Sequence, residues 1–164
     1  MTIQWQPQPK QAIALARTED EILFGGARGG GKTDTGQAWL LYDIDKPDYR
    51  ALVIRKNYTD LSDWLDRAQR FYFNAGGKLV GDTFIFPSGA RIKTGHLADK
   101  DAYQKYQGHE YQKMLIEELT HISREGDYEK LRASNRSTVP GIASQIFCTT
   151  NPDEIGRASC RERV

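Results

Sequence analysis

Apolar positions along the chain fall into short continuous runs that alternate with helically spaced sets. Ala12, Ile13, Leu15 and Ala16 give Gln8 to Arg17 the spacing of a short helix, entered through Pro7 and Pro9. Glu21 to Phe24 reads as a strand running into the glycine cluster Gly25 to Gly31, and Thr33 to Tyr42 as the helix that follows. A turn at Asp45, Lys46 and Pro47 leads to a buried-strand run, Ala51-Leu52-Val53-Ile54, which completes a βαβ pattern. Leu61, Trp64, Leu65, Ala68, Phe71 and Tyr72 predict a helix over Thr59 to Asn74, stopped by Gly76-Gly77. Strand candidates at Lys78 to Val80, Thr83 to Phe86 and Arg91 to Lys93 suggest a small antiparallel insertion. His96 to Glu110 is polar and aromatic and reads as an exposed helix or loop. Met114-Leu115-Ile116 is a further strand core, Asp127 to Ser134 a helix, and Ser144 to Cys148 a last strand. Alternating strands and helices predict an α/β fold with a mostly parallel central sheet flanked by helices.

Composition narrows the picture. With 164 residues, 38% hydrophobic and 27% charged, the chain is one domain's length and outside the range of disordered sequences. Lys plus Arg number 23 and Asp plus Glu 22, a net charge of +1, so any contact with nucleic acid is a local patch. The longest apolar runs fall far short of the roughly 20 residues that span a bilayer, and the polar start Met1 to Gln6 has no signal-peptide core. Cys148 and Cys160 give neither a disulfide framework nor a metal spacing. The expectation is a soluble, intracellular protein without a membrane partner.

Gly26-Ala27-Arg28-Gly29-Gly30-Gly31-Lys32-Thr33 fits G-x-x-x-x-G-K-S/T at every fixed position, between a predicted strand and a predicted helix. Glycines let backbone N–H groups point at phosphate oxygens, and the helix N-terminus adds partial positive charge. Lys32 would reach the β- and γ-phosphates of ATP, and Thr33 would ligate Mg²⁺. The bland alternative, a glycine-rich turn, does not require Lys-Thr after the last glycine. This makes the fold class a P-loop NTPase.

A second half-site would be a strand ending in carboxylates, and Met114-Leu115-Ile116-Glu117-Glu118 supplies one. Glu117 would hold the Mg²⁺ shell and Glu118 would polarise the attacking water, unless the pair is only a solvated strand end. Asn151, after Thr149-Thr150, is either a γ-phosphate sensor or part of an Asn-Pro turn. His96, His109 and His121 stand apart without metal spacing and read as surface or hydrogen-bonded residues, and Trp39 and Trp64 as core. Tyr103, Lys105, Tyr106 and Lys100 are a weak candidate for a DNA contact, since Asp99 and Asp101 interleave with them.

Taken with the blocks WQPQPKQ (5–11), LVIRK (52–56), FPSGARIKTGH (86–96), YQGHEYQKMLIEELTH (106–121) and TTNP (149–152), the chain resembles the ATPase domain of the large terminase subunit of tailed bacteriophages. That resemblance implies ATP hydrolysis powering translocation of double-stranded viral DNA into a procapsid. It matches Gln11 to an adenine contact, Lys32 and Thr33 to phosphate and Mg²⁺ ligands, Glu118 to the catalytic glutamate, and Thr150 with Asn151 to a coupling motif. The metal-site position is more often Asp in the family and is Glu117 here. Arg136, in Ser134-Asn135-Arg136-Ser137, is a candidate arginine finger acting on a neighbouring subunit, in competition with Arg28 of the loop. Partners implied are the portal protein, a small terminase subunit and further copies in a ring, in the host cytoplasm and transiently at the procapsid portal.

Residues 1–153 are expected to form a P-loop ATPase domain that is incomplete at its C-terminal side, with the family's nuclease domain absent. Glu154 to Val164 reads as a non-native tail: its eleven residues match, in order, a conceptual translation of a common short-read sequencing adapter. Without them acidic and basic residues balance. Two rival functions stay open: a helicase-like or kinase-like P-loop ATPase unrelated to packaging, and an inactive nucleotide-binding fragment.

Overall fold

The computed structural model describes residues 5–26, 31–98, 101–122 and 124–151. Its elements run α1 (Pro9–Leu15), β1 (Glu21–Gly25), α2 (Lys32–Leu40), β2 (Arg50–Arg55), α3 (Tyr58–Phe73), β3 (Lys78–Val80), β4 (Thr83–Ile85) and β5 (Arg91–His96). They continue with β6 (Lys113–Ile116), α4 (Glu125–Arg132) and β7 (Gln145–Thr150), with 3-10 turns at Leu41–Asp43, Ala102–Tyr106 and Leu119–His121. All seven strands form one sheet in the order β1-β7-β6-β2-β5-β4-β3. The first five in that order are mutually parallel, and β4 and β3 extend the sheet antiparallel.

Two-residue periodicity explains why the parallel strands read as unbroken apolar runs: both faces are covered. Ile22 and Phe24 of β1, Ala51 and Val53 of β2, Leu115 of β6 and Phe147 of β7 belong to one buried cluster with α1, α2 and α3. Their alternates Leu23, Leu52, Ile54, Met114, Ile116, Ile146 and Cys148 join a second cluster on the other face with α4. In α3 the buried stripe Leu61, Trp64, Ala68 and Tyr72 has the three-to-four spacing of a single helix face. Trp64, Tyr72 and Phe84 stack edge to face there, with the Tyr72 and Phe84 centroids 5.0 Å apart. The buried Tyr72 hydroxyl is satisfied by donating to Gln37 O at 2.9 Å.

The small antiparallel insertion expected from the sequence is present as β3, β4 and β5, and it is joined to the parallel sheet because β5 pairs with β4 on one side and with β2, in parallel, on the other. One sequence expectation changes. The segment after β5 is not wholly exposed: Ala102 and Tyr106 are buried, which removes Tyr106 from any DNA-contact patch, while Asp99 and Lys100 lie outside the described residues. The cause is Gly95. The phenol end of Tyr106 lies against its backbone, and a Cβ there would come within 1.8 Å of the Tyr106 hydroxyl and 2.6 Å of Cζ. Gly95→Ala is therefore expected to lower stability by about 1–3 kcal/mol through overpacking, read as a drop in the thermal or urea midpoint.

Lys113 is a charged residue inside the first cluster. Its Nζ lies 3.0 Å from Asp43 Oδ2 and 4.9 Å from the Trp39 ring centroid, so one carboxylate and aromatic faces take the place of water. Among the described residues, no helix is long and apolar enough to cross a membrane.

Candidate active site

In parallel α/β sheets ligands bind beyond the carboxyl ends of the strands. The candidate residues gather there: Gly26 follows β1, Asn151 follows β7, Glu117 and Glu118 follow β6, and Arg55 ends β2. The strand order decides which of them meet. Because β7 lies between β1 and β6, Asn151 stands between the phosphate loop and the carboxylates.

Of the loop, Gly26, Gly31, Lys32 and Thr33 are described, whereas Arg28, Gly29 and Gly30 lie outside the described residues. Gly31 precedes α2 with φ +70°, a conformation that favours glycine. A Cβ there would also displace the Gln11 amide that packs against it. Gln11 is buried, donates from Nε2 to Gly31 O at 3.0 Å and accepts the Gln8 N–H at Oε1, 2.7 Å away. It thereby fastens α1 to the end of the loop. Lys32 Nζ donates to Gly26 O at 2.6 Å and to Asn151 Oδ1 at 3.2 Å, so the lysine spans the gap between β1 and β7. Burial lowers its pKa, against the opposing charges of Glu118 and Glu117.

Thr33 Oγ1 donates to Glu117 Oε2 at 3.4 Å, joining the helix start to the carboxylate strand. Glu117 is 2% exposed, and Arg55 Nη2 lies 3.4 Å from its Oε2 and 3.6 Å from Glu118 Oε1. The Trp64 indole faces this carboxyl and favours its charged form, yet Trp64 Nε1 and Glu117 Oε1 both stay outside hydrogen-bond geometry. Burial dominates, and with the neighbouring charge of Glu118 it outweighs the pull of Arg55, raising the Glu117 pKa from 4.5 to about 7. Glu118 has left-handed backbone angles, φ 53° and ψ 56°, and its N–H donates to Thr149 Oγ1 at 3.1 Å. His121 Nδ1 lies 2.9 Å from its Oε2.

The raised Glu117 pKa has a sign. Between 4.5 and about 7 the unfolded chain has lost this proton and the folded chain retains it, so stability falls as pH rises through that window. Glu117→Gln removes the penalty. The variant should match wild type near pH 4 and exceed it at pH 8 by on the order of 3 kcal/mol, measured as paired denaturant titrations without nucleotide or Mg²⁺.

Arg136 is not brought to this chain's own site. It is exposed, and its N–H donates to Tyr111 O, just before β6 begins, which is the opposite end of the sheet from Glu117. Sequence reasoning gave no role to Arg55, His121 and Thr149. Arg55 takes its place because β2 lies parallel and adjacent to β6, a neighbourhood that only the strand order supplies.

A profile for the family described as "Terminase large subunit, T4likevirus-type, N-terminal" matches residues 23–155. No curated protein matches the sequence. Among solved structures, the large terminase of bacteriophage HK97 superposes with a TM-score of 0.68 at 10% identity, over 89% of this chain and 33% of that one. The large terminase of a thermophilic bacteriophage in complex with ATP-gamma-S gives 0.65 at 18% identity, over 88% and 38%. The N-terminal domain of the DNA packaging ATPase from bacteriophage phi29 gives 0.59 at 12% identity, over 92% and 84%. The chain thus spans well under half the length of the large terminases it matches. At these identities the superpositions establish a shared fold, and the profile, covering most of the sequence, establishes descent: the chain belongs to the terminase large-subunit family, in its N-terminal part.

Proposed function

We propose that this chain binds ATP with Mg²⁺ and hydrolyses it to drive double-stranded viral DNA into a procapsid. The observation that carries the proposal is the convergence of Lys32, the Thr33–Glu117 pair and Glu118 at the carboxyl ends of the parallel strands. Phosphates would lie across the loop, with Lys32 exchanging Gly26 O and Asn151 Oδ1 for phosphate oxygens, so that Asn151 senses the γ-phosphate. Gln11 is the proposed adenine contact, and the loop's Gly26, Arg28, Gly29, Gly30 and Gly31 the phosphate cradle.

The donor set fits Mg²⁺. Thr33 Oγ1 and Glu117 Oε2 share one spot, and Glu117 Oε1 is buried without a hydrogen-bond partner, a hard-oxygen pair of the kind this ion takes alongside phosphates and water. When bound, the ion would neutralise charge on the β- and γ-oxygens. The longer arm of Glu117, where Asp is more usual, already reaches Thr33.

Glu118 takes a proton from water as the water oxygen bonds to the γ-phosphorus. The bond from that phosphorus to the β–γ bridging oxygen breaks, and ADP leaves with the electron pair. Arg136, exposed at the far end of the sheet, would serve as a finger only toward a neighbouring copy in a ring; Arg28 is the rival within the loop. Portal protein and small terminase subunit are the proposed partners, at the procapsid portal in the host cytoplasm.

The test is phosphate release from γ-labelled ATP with and without blunt double-stranded DNA. Inorganic phosphate should appear, DNA should stimulate it without sequence preference, and DNA affinity should fall by about 10³-fold or more between 50 and 200 mM salt if six or more phosphates are contacted. Transfer of the label to a small acceptor would favour a kinase instead.

A further inference from the structure

We propose that His121 and Thr149 are positioning residues that hold the two ends of Glu118, fixing where its carboxylate points; the proposal rests on reading Glu118 as the base that activates water. Glu118 is the only described non-glycine residue with positive φ. Such a conformation crowds the β-carbon of any residue but glycine against the backbone, so something must hold it. Thr149, buried on the neighbouring strand β7, accepts the Glu118 N–H at 3.1 Å and fixes the backbone end. The turn Leu119–His121 then closes with the His121 N–H donating to Glu118 O at 2.9 Å.

In a 3-10 turn, side chains three apart eclipse one another. Positions 118 and 121 therefore share one side, which brings His121 Nδ1 to 2.9 Å from Glu118 Oε2. Buried Leu119 and Thr120 anchor the turn from beneath, and the Thr120 hydroxyl lies 3.3 Å from that of Thr150. Glu118 is thus aimed by residues of β7 and the following turn, none of them on the phosphate loop. Since Asn151, which holds Lys32, directly follows β7, the strand that leads to the proposed phosphate site is also the strand that fixes the base.

Two measurements test this. To donate to a carboxylate, His121 must carry its proton on Nδ1, the reverse of the tautomer that leaves Nδ1 bare. Long-range ¹H–¹⁵N spectra of the 164-residue chain should show His121 Nδ1 protonated, and Glu118→Ala should abolish that signature. An Nε2–H tautomer indifferent to Glu118→Ala overturns the proposal. In Mg–ATP turnover, His121→Leu and Thr149→Val should each lower kcat by about 10–100-fold, with ATP-gamma-S affinity nearly unchanged; the melting temperature should hold in His121→Leu and fall in Thr149→Val, which takes away the acceptor of the Glu118 N–H. His121→Asn, whose amide N–H can take the place of Nδ1–H, and Thr149→Ser should recover most of the loss. If Glu118→Gln is inactive while His121→Leu and Thr149→Val turn over like wild type, the positioning roles are overturned. If Glu118→Gln itself turns over like wild type, the assignment of Glu118 as the base falls first.

Discussion

Glu118→Gln is expected to lower the rate of ATP hydrolysis by about 10²–10⁴-fold, the usual contribution of a general base, and to leave nucleotide affinity close to wild type. The substitution keeps the shape and the acceptor oxygen that His121 Nδ1 can meet at 2.9 Å, so the turn should survive. What disappears is the ability to accept a proton from water. Because the interaction is made with the attacking water and not with the nucleotide, the loss belongs to kcat and not to binding. Single-turnover phosphate release alongside equilibrium binding of ATP-gamma-S separates the two. Equal losses in both would mean that Glu118 holds the nucleotide and that the base is elsewhere.

Much of this site is visible in the sequence because it is built from contiguous segments. The glycine-to-Lys32-Thr33 run states its own geometry, and an apolar triplet followed by Glu117-Glu118 states a strand end. The structure adds the order of the strands, which no one-dimensional pattern encodes. Placing β7 between β1 and β6 turns Asn151 into the partner of Lys32, and placing β2 beside β6 turns Arg55 into the counter-charge of both carboxylates. The roles of His121 and Thr149 depend on one left-handed residue, and residue type alone does not announce positive φ in a glutamate. Lys113 and Tyr106 were hidden for a different reason. Each is a polar residue whose burial is made tolerable by a partner distant in sequence, Asp43 for one and the bare backbone of Gly95 for the other.

If the loop ending in Lys32 and Thr33 cradles phosphate, Lys32→Ala has the second large effect. In the structure Lys32 reaches Gly26 O and Asn151 Oδ1, and these are bonds the lysine would exchange for phosphate contacts. Its removal takes away the one side-chain cation of the described loop and leaves the fold's two buried clusters untouched. A ligand that binds only the native state at 100 times its dissociation constant adds about 2.7 kcal/mol. For a domain of this size that is a rise of roughly 5–10 °C in melting temperature. The measurement is thermal melting of wild type and Lys32→Ala with Mg²⁺, with and without ATP. ATP should raise the melting temperature of wild type by that amount and leave the variant unmoved. A cooperative melt of wild type that ATP does not shift, or an equal shift in both proteins, would mean that the loop is no phosphate cradle.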